Sequence, residues 1–149
     1  EMKKRYLVVD FNPETIKSLN KFGVPAVYGD ADDIEFIGEL PLDKAKLIIS
    51  TIPEQETNLL LIDAVKHRNK EVIIIVNAQQ INEGPELYKR GADYVIMPHF
   101  LGGEYVSQII KKYGFGKKGY LDEKKKHIEE LNERRKEGQE HPRTERDRT

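Results

Sequence analysis

The chain contains no cysteine. That removes a disulfide framework, thiol catalysis and thiolate metal sites together, and it fits a reducing compartment. No apolar run approaches the roughly 18–20 residues that span a bilayer, and no signal-peptide pattern opens the chain. A field of one sign is missing too. Lysine and arginine number 25 against 26 aspartates and glutamates, a formal net charge of −1, so the bulk charge gives no argument for a nucleic-acid partner. No nucleophile stands beside a base, and no proton relay or pair of acids is legible. An enzyme would need one of these, so no catalytic residue is assigned. His67, His99, His127 and His141 lack metal-ligand spacing, and no metal ligand is assigned. His99, between Pro98 and Phe100, reads as a local hydrogen-bonding residue or a gate for the following helix.

What is present suits one compact domain and a charged appendage: 149 residues, 38% apolar and 34% charged. YLVVD (residues 6–10) is a short apolar run ending in an acid, and Asn12-Pro13 then opens a helix through Phe22, stopped by Gly23. Ala26–Tyr28 is a second strand closed by Gly29-Asp30, and a short helix from Asp33 to Leu40 ends at Pro41. KLIIST (46–51) is a third strand, followed by a helix from Pro53-Glu54 to Arg68 with Leu59, Leu60, Ile62, Ala64 and Val65 as its apolar content. EVIIIVN (71–77) is an unbroken β-branched run, which suits a strand buried on both faces of a parallel sheet. A helix over 81–89, with Gly91 beyond it, leads to a strand over 93–97 closed by Pro98, and a helix over 100–113 follows. Strand–helix alternation of this kind predicts an α/β fold, a Rossmann-like doubly wound parallel sheet. That domain occupies 1–113, with a linker over 114–120, a charged helix over 121–137 carrying Leu121, Ile128 and Leu131, and a disordered tail over 138–149. Glu54, Glu56, Asp63, Lys66 and Arg68 read as a solvated helix face.

Residues 114–119, GFGKKG, match the dinucleotide fingerprint G-x-G-x-x-G letter for letter. A working fingerprint follows a strand and opens a helix within a βαβ unit. This one follows the end of a helix and leads into the polar tail, so it reads as a helix terminator with Gly114 as cap. In a dinucleotide fold the ribose-binding acid ends the second strand, about 20 residues past the glycines. Asp10 ends the first visible strand, so the count runs off the start of the chain. With Glu1 in first place, the sequence reads as a piece of a longer chain that begins after the first strand and its phosphate loop, and EMKKR as the tail of the first helix. YLVVD then either pairs directly with KLIIST or leaves a gap where both present unpaired edges.

YLVVDFNPE, VYGDADD, KLIISTIPEQETNLL and GADYVIMPHFLGGE resemble, in that order, the regulatory nucleotide-binding domain of potassium transport systems, the RCK or TrkA-N (KTN) domain. PHFLGG is most similar to the version attached to Kef-type cation/proton antiporters. The resemblance covers about residues 3–112. It implies a cytosolic module at the membrane's cytoplasmic face that gates a potassium or cation:proton antiporter in response to an adenine nucleotide. The ligand would be NAD(H), AMP or ATP, with binding weakened by the absent glycine loop. The partners implied are a transmembrane antiporter domain and a second copy, joined through the helix 100–113 by Ile109, Ile110 and Tyr113.

Asp10 is the leading site residue, with Phe11 and Asn12 in its loop. Its carboxylate can accept from both ribose hydroxyls and would repel a 2′-phosphate, favouring NAD, AMP or ATP over NADP; it also suits an ordinary turn. Gly29, Asp30 and Ala31 lie beside the adenine in the resembled family, and Gly-Asp is equally common turn chemistry. Ser50, Thr51 and Ile52 end a strand at the carboxyl edge, where their hydroxyls could meet a phosphate or ribose or cap the next helix. Asn77 is a weaker candidate of the same kind. Calcium-gated relatives place carboxylates near this point, where Asn77-Ala78-Gln79-Gln80 offers neutral amides, so no calcium site is expected. Two other readings remain: a dimerisation scaffold that binds no nucleotide, and the nucleotide half of an NAD-dependent dehydrogenase. The short polar tail argues against the second.

Overall fold

The computed structural model describes residues 6–136. The expected helix tail at 1–5 and disordered tail at 138–149 lie outside the described residues. The chain forms two compact units, Glu1–Gly103 and Glu104–Thr149.

The first unit alternates β1 (Val8–Asp10), α1 (Pro13–Lys21), β2 (Ala26–Tyr28), α2 (Ile34–Glu39), a 3-10 turn (Leu42–Lys44), β3 (Leu47–Ile49), α3 (Gln55–Arg68), β4 (Ile73–Asn77), α4 (Gly84–Arg90) and β5 (Tyr94–Ile96), and it ends in the first turns of α5 (Pro98–Tyr113). Every strand pair is parallel. This is a Rossmann-like α/β fold.

Local chemistry sets most helix ends. The Asn12 side chain accepts from Glu14 N–H at 2.9 Å, with Pro13 in the first helical turn. The Asp33 carboxylate accepts from Glu35 N–H at 2.9 Å and Phe36 N–H at 3.2 Å. Helix α4 starts later than its pattern implied. The Glu83 carboxylate takes the N–H groups of Gln79 and Gln80 at 2.9 and 3.1 Å, holding residues 81–83 in a turn ahead of Pro85. Helix α5 starts earlier: Pro98 closes β5 and is also the first helical residue, where its missing N–H costs nothing.

The single sheet expected from the alternation is two. β1 pairs with β2, and β3, β4 and β5 form a separate sheet in that order. Among the described residues β1 and β3 share no pairing, so the gap is found and each strand keeps an unpaired edge. The β4 run is not buried on both faces. Ile74 and Val76 are fully buried while Ile73 is 51% exposed. Helices α3 and α4 cover one face of this sheet with Ile62, Val65 and Leu87, and Leu47, Ile49 and Tyr94 are half exposed on the other.

Side chains, not strands, tie the halves of this unit together. Arg68 donates through Nη2 and Nε to the Asp43 carboxylate at 2.8 and 3.2 Å and through Nη1 to the Gly38 carbonyl at 2.7 Å. Asn69 donates to the carbonyls of Leu42 and Ala45. Within the half built on β3, β4 and β5, Lys66 donates to the Val72 carbonyl and pairs with Asp93, and Asp63 pairs with Arg90. The charges read as a solvated face of α3 are therefore in good part tertiary tethers, because a long stem reaches a neighbouring loop that sequence spacing does not reveal.

Arg68 holds the Asp43 carboxyl below its ordinary 3.8, chiefly through these hydrogen bonds. A carboxyl that binds its proton less readily folded than unfolded stabilises the fold above the unfolded pKa, and that stabilisation is lost as pH falls through the folded value. Arg68→Ala is therefore expected to lower the melting temperature at neutral pH, and the deficit against wild type should shrink below about pH 4. The Gly38 contact is lost at every pH, so a remainder persists. Thermal melts of wild type, Arg68→Ala and Asp43→Asn across this range check it; a deficit independent of pH would sink the assignment.

The second unit contains the rest of α5 and α6 (Lys117–Lys136). The expected linker shrinks to Gly114–Gly116, and α6 starts four residues before the expected position. Gly114 takes φ +54, the cap expected of it. A Cβ on Gly119 would lie 2.1 Å from the Tyr113 ring, so glycine there lets the first turn of α6 close on that ring. GFGKKG is a helix–helix turn. Glu123 accepts from the hydroxyls of Tyr105 and Tyr113 at 2.9 and 3.0 Å, and Tyr120 donates to the Gly114 carbonyl at 2.9 Å. These bonds hold the Glu123 carboxyl below its usual value and raise the Tyr105 hydroxyl, each mainly through the other.

Candidate functional site

The strands run parallel within each sheet, and the sequence-predicted residues fall at their carboxyl ends in two groups, one for each sheet. The first sits after β1 and β2. Asp10 ends β1, and its carbonyl accepts from Gly29 N–H at 3.1 Å, which brings the β1 and β2 exits together. Its Oδ1 accepts from Asn12 N–H at 2.7 Å. The turn role and a free second oxygen coexist: among the described residues Oδ2 has no hydrogen bond. Asn12 is committed to capping α1, and Phe11 is largely exposed. Asp30 Oδ1 accepts from Asp32 N–H at 3.0 Å, a turn bond. Gly29 is buried. A Cβ there would lie 2.0 Å from the Phe36 ring, so the glycine makes room for a side chain of α2. Ala31 packs against the core.

The second group ends β3 and β4. Ser50 is buried, its N–H donates to the Ile75 carbonyl at 2.8 Å, and its hydroxyl accepts from Ile52 N–H at 3.3 Å. Thr51 is exposed. Neither hydroxyl caps α3, whose N-cap position is Glu54 without a side-chain bond. Asn77 closes β4 and reaches the Thr51 carbonyl at 3.5 Å.

One residue that sequence reasoning missed organises this group. Asn58 is fully buried on α3. Its Nδ2 donates to the carbonyls of Ile52 at 2.8 Å and Asn77 at 3.0 Å. One amide thus clamps the exits of β3 and β4, while its Oδ1 and that of Asn77 are buried without a partner. The signal was in the sequence: Asn58, Leu61, Ile62 and Val65 fall at i, i+3, i+4 and i+7, so an asparagine occupies a core position of the helix.

The two groups are joined by a hydrogen bond from the Thr57 hydroxyl to Asp32 at 2.5 Å. Beside it lies a shallow cavity of about 500 Å³ lined by Asp32, Glu54, Gln55, Glu56, Thr57 and Leu60. None of the predicted site residues lines it, and its three carboxylates suit hydroxyl or amino donors better than a phosphate. Another depression, of about 400 Å³ along α4, is lined by Pro85, Glu86, Lys89 and Arg90 and touches neither group. His99 is exposed in the first turn of α5 without the local hydrogen bond expected of it among the described residues. No helix among the described residues is long and apolar enough to cross a membrane.

The chain is similar to the glutathione-regulated potassium-efflux system protein KefC of Escherichia coli O139:H28, with 30% identity over 89 residues, 60% of this chain and 14% of KefC. It therefore spans about a seventh of that relative's length. Among solved structures it resembles the TrkA-N domain of the inner membrane protein ybaL from Escherichia coli, at TM-score 0.64 and 25% identity over 70% of this chain and 77% of that one. It also resembles the GsuK channel bound to NAD, at TM-score 0.53 and 26% identity over 62% and 16% of the two chains. The family model for the TrkA-N domain matches residues 1–98, which hold both groups of edge residues, and the chain belongs to the TrkA-N domain family.

Proposed function

We propose that this chain is a regulatory module that binds an adenine nucleotide, NAD(H), AMP or ATP, at the carboxyl edge of its strands and so controls an attached cation transporter from the cytoplasmic side. The observation that carries the reading is Asp10: a half-buried carboxylate at a strand exit, oriented by one bond to its own loop, with one oxygen left for ribose hydroxyls. The likeness to a channel bound to NAD and to a potassium-efflux protein supports it. The nucleotide acts by linkage, shifting the transporter only as far as its affinity differs between two arrangements of the module. A second copy would pack along α5, where Val106 and Ile110 are exposed. Tyr113, expected in that contact, already bonds Glu123 in its own hairpin.

Calorimetric titration of NAD, NADH, NADP, AMP and ATP tests the reading. It is run on the 149-residue chain and on a version extended upstream through its own coding sequence. Asp10→Ala is expected to weaken NAD binding about 10–100-fold, the worth of one or two charge-assisted hydrogen bonds. NADP should bind more weakly than NAD. If neither version binds any of the five, the nucleotide reading fails, and a purely dimerising scaffold replaces it.

A further inference from the structure

We propose that the turn between α5 and α6 docks on an anionic membrane surface. Phe115, at the apex of this turn, is completely exposed. Glycines flank it on both sides, so the ring stands clear of the hairpin and adds nothing to its packing. Four lysines surround it in sequence: Lys111 and Lys112 in the last turn of α5, Lys117 and Lys118 in the first turn of α6. No acid occurs from Tyr105 through Leu121. Among the described residues none of these lysines is ion-paired, and Lys112 lies over the Tyr113 ring, 4.8 Å from its centre.

Helix stability does not account for this arrangement. Lys111 and Lys112 complement the dipole at the end of α5, but Lys117 and Lys118 oppose it at the start of α6, where the first turn has no acid. The paired features, a cation cluster and a protruding aromatic ring, match the two layers of one surface. Lipid phosphates meet the ammonium groups, and the ring enters the boundary between headgroups and acyl chains. A soluble anion would satisfy the lysines and leave the ring in water. A convex apex also needs no complementary groove, which a soft bilayer surface does not provide.

Sedimentation of the 149-residue protein with vesicles of phosphatidylcholine, with and without phosphatidylserine, is the test. Association is expected only with the anionic vesicles and should fall as salt is raised. Each lysine replaced by glutamine should weaken it about fivefold, so Lys117→Gln with Lys118→Gln lowers it by about 25-fold. Phe115→Ser should lower it by about tenfold or more. All three positions are exposed, and an unchanged circular dichroism spectrum separates lost docking from lost folding. Absence of binding to anionic vesicles overturns the proposal, as does equal binding to neutral ones or binding that survives the substitutions. Self-association that disappears in Phe115→Ser, with no vesicle binding, would mark the apex as a contact between copies and overturn it too.

Discussion

Asn58→Leu is expected to destabilise the domain by about 2–4 kcal/mol, although leucine has the branching and the number of side-chain heavy atoms of asparagine and suits a buried helix face. The wild-type amide donates to two carbonyls at the exits of different strands. Leucine leaves both carbonyls short of a donor, at about 1–3 kcal/mol for each buried group left unsatisfied. The change also removes an Oδ1 that is buried without a partner, which offsets part of the loss and keeps the total below the simple sum. Asn58→Asp separates polarity from hydrogen-bond direction: it restores the polar atoms but presents a carboxylate to two carbonyl oxygens, so it should be at least as harmful as leucine. Urea unfolding, read as a shift in midpoint at constant slope, measures both. A shift under about 0.5 kcal/mol for Asn58→Leu, the range of ordinary surface substitutions, would show that the strand exits are held by something else.

Ile62→Ala should cost about 3–5 kcal/mol, within the upper range for truncating a large aliphatic side chain in a core. Ile62 is fully buried in the core cluster with Val65, Ile74, Val76 and Leu87. It also lies close to the one glycine that ends α4: a Cβ on Gly91 would be 3.6 Å from its Cγ2. Helix and sheet are both fixed around this contact, so the space left by three missing carbons cannot collapse fully. Such a loss is a large part of the roughly 5–15 kcal/mol by which domains are stable, and the variant should be substantially unfolded at moderate temperature. Leu60→Ala is the control. Leu60 is two residues away on the same helix and 43% exposed, and its truncation should cost under about 1 kcal/mol. Equal effects of the two would mean that α3 is not packed on the sheet through the face described.

The comparison of Leu60 with Asn58 shows where sequence reasoning stopped. A residue-type count places Leu60 in the core and Asn58 outside it, and the structure reverses both. The period of the helix was the better guide, because which way a side chain points depends on its angular position, not its hydrophobicity. The place of Asp10 at a strand exit was legible because it is an acid ending an apolar run. Gly29 was read as a point where the backbone could approach a ligand, and the structure gives its missing side chain a packing use as well. Its lack of a side chain accommodates Phe36, seven residues away across a loop, and no local pattern encodes that approach. Ser50 and Thr51 were rightly placed at the edge, but only the start of α3 at Gln55 shows that they do not cap it.

By itself the sequence determined the alternation of strands and helices, the parallel sense it imposes, and the helix ends set by Asn12, Asp33, Gly91 and Gly114. Each is a local matter of backbone preference, capping or periodicity over a few residues. It also sufficed to reject GFGKKG as a phosphate loop, because the elements on either side of it are the wrong kind. The tertiary structure alone decided that β1 and β3 do not pair, that one face of β4 is open, that Arg68 and Asn69 tether the two halves of the first unit, and that Asn58 joins two strand exits. These are contacts between residues far apart in the chain. Whether a donor finds its acceptor, or an edge its partner, depends on the geometry of the assembled elements rather than on any stretch of sequence read alone.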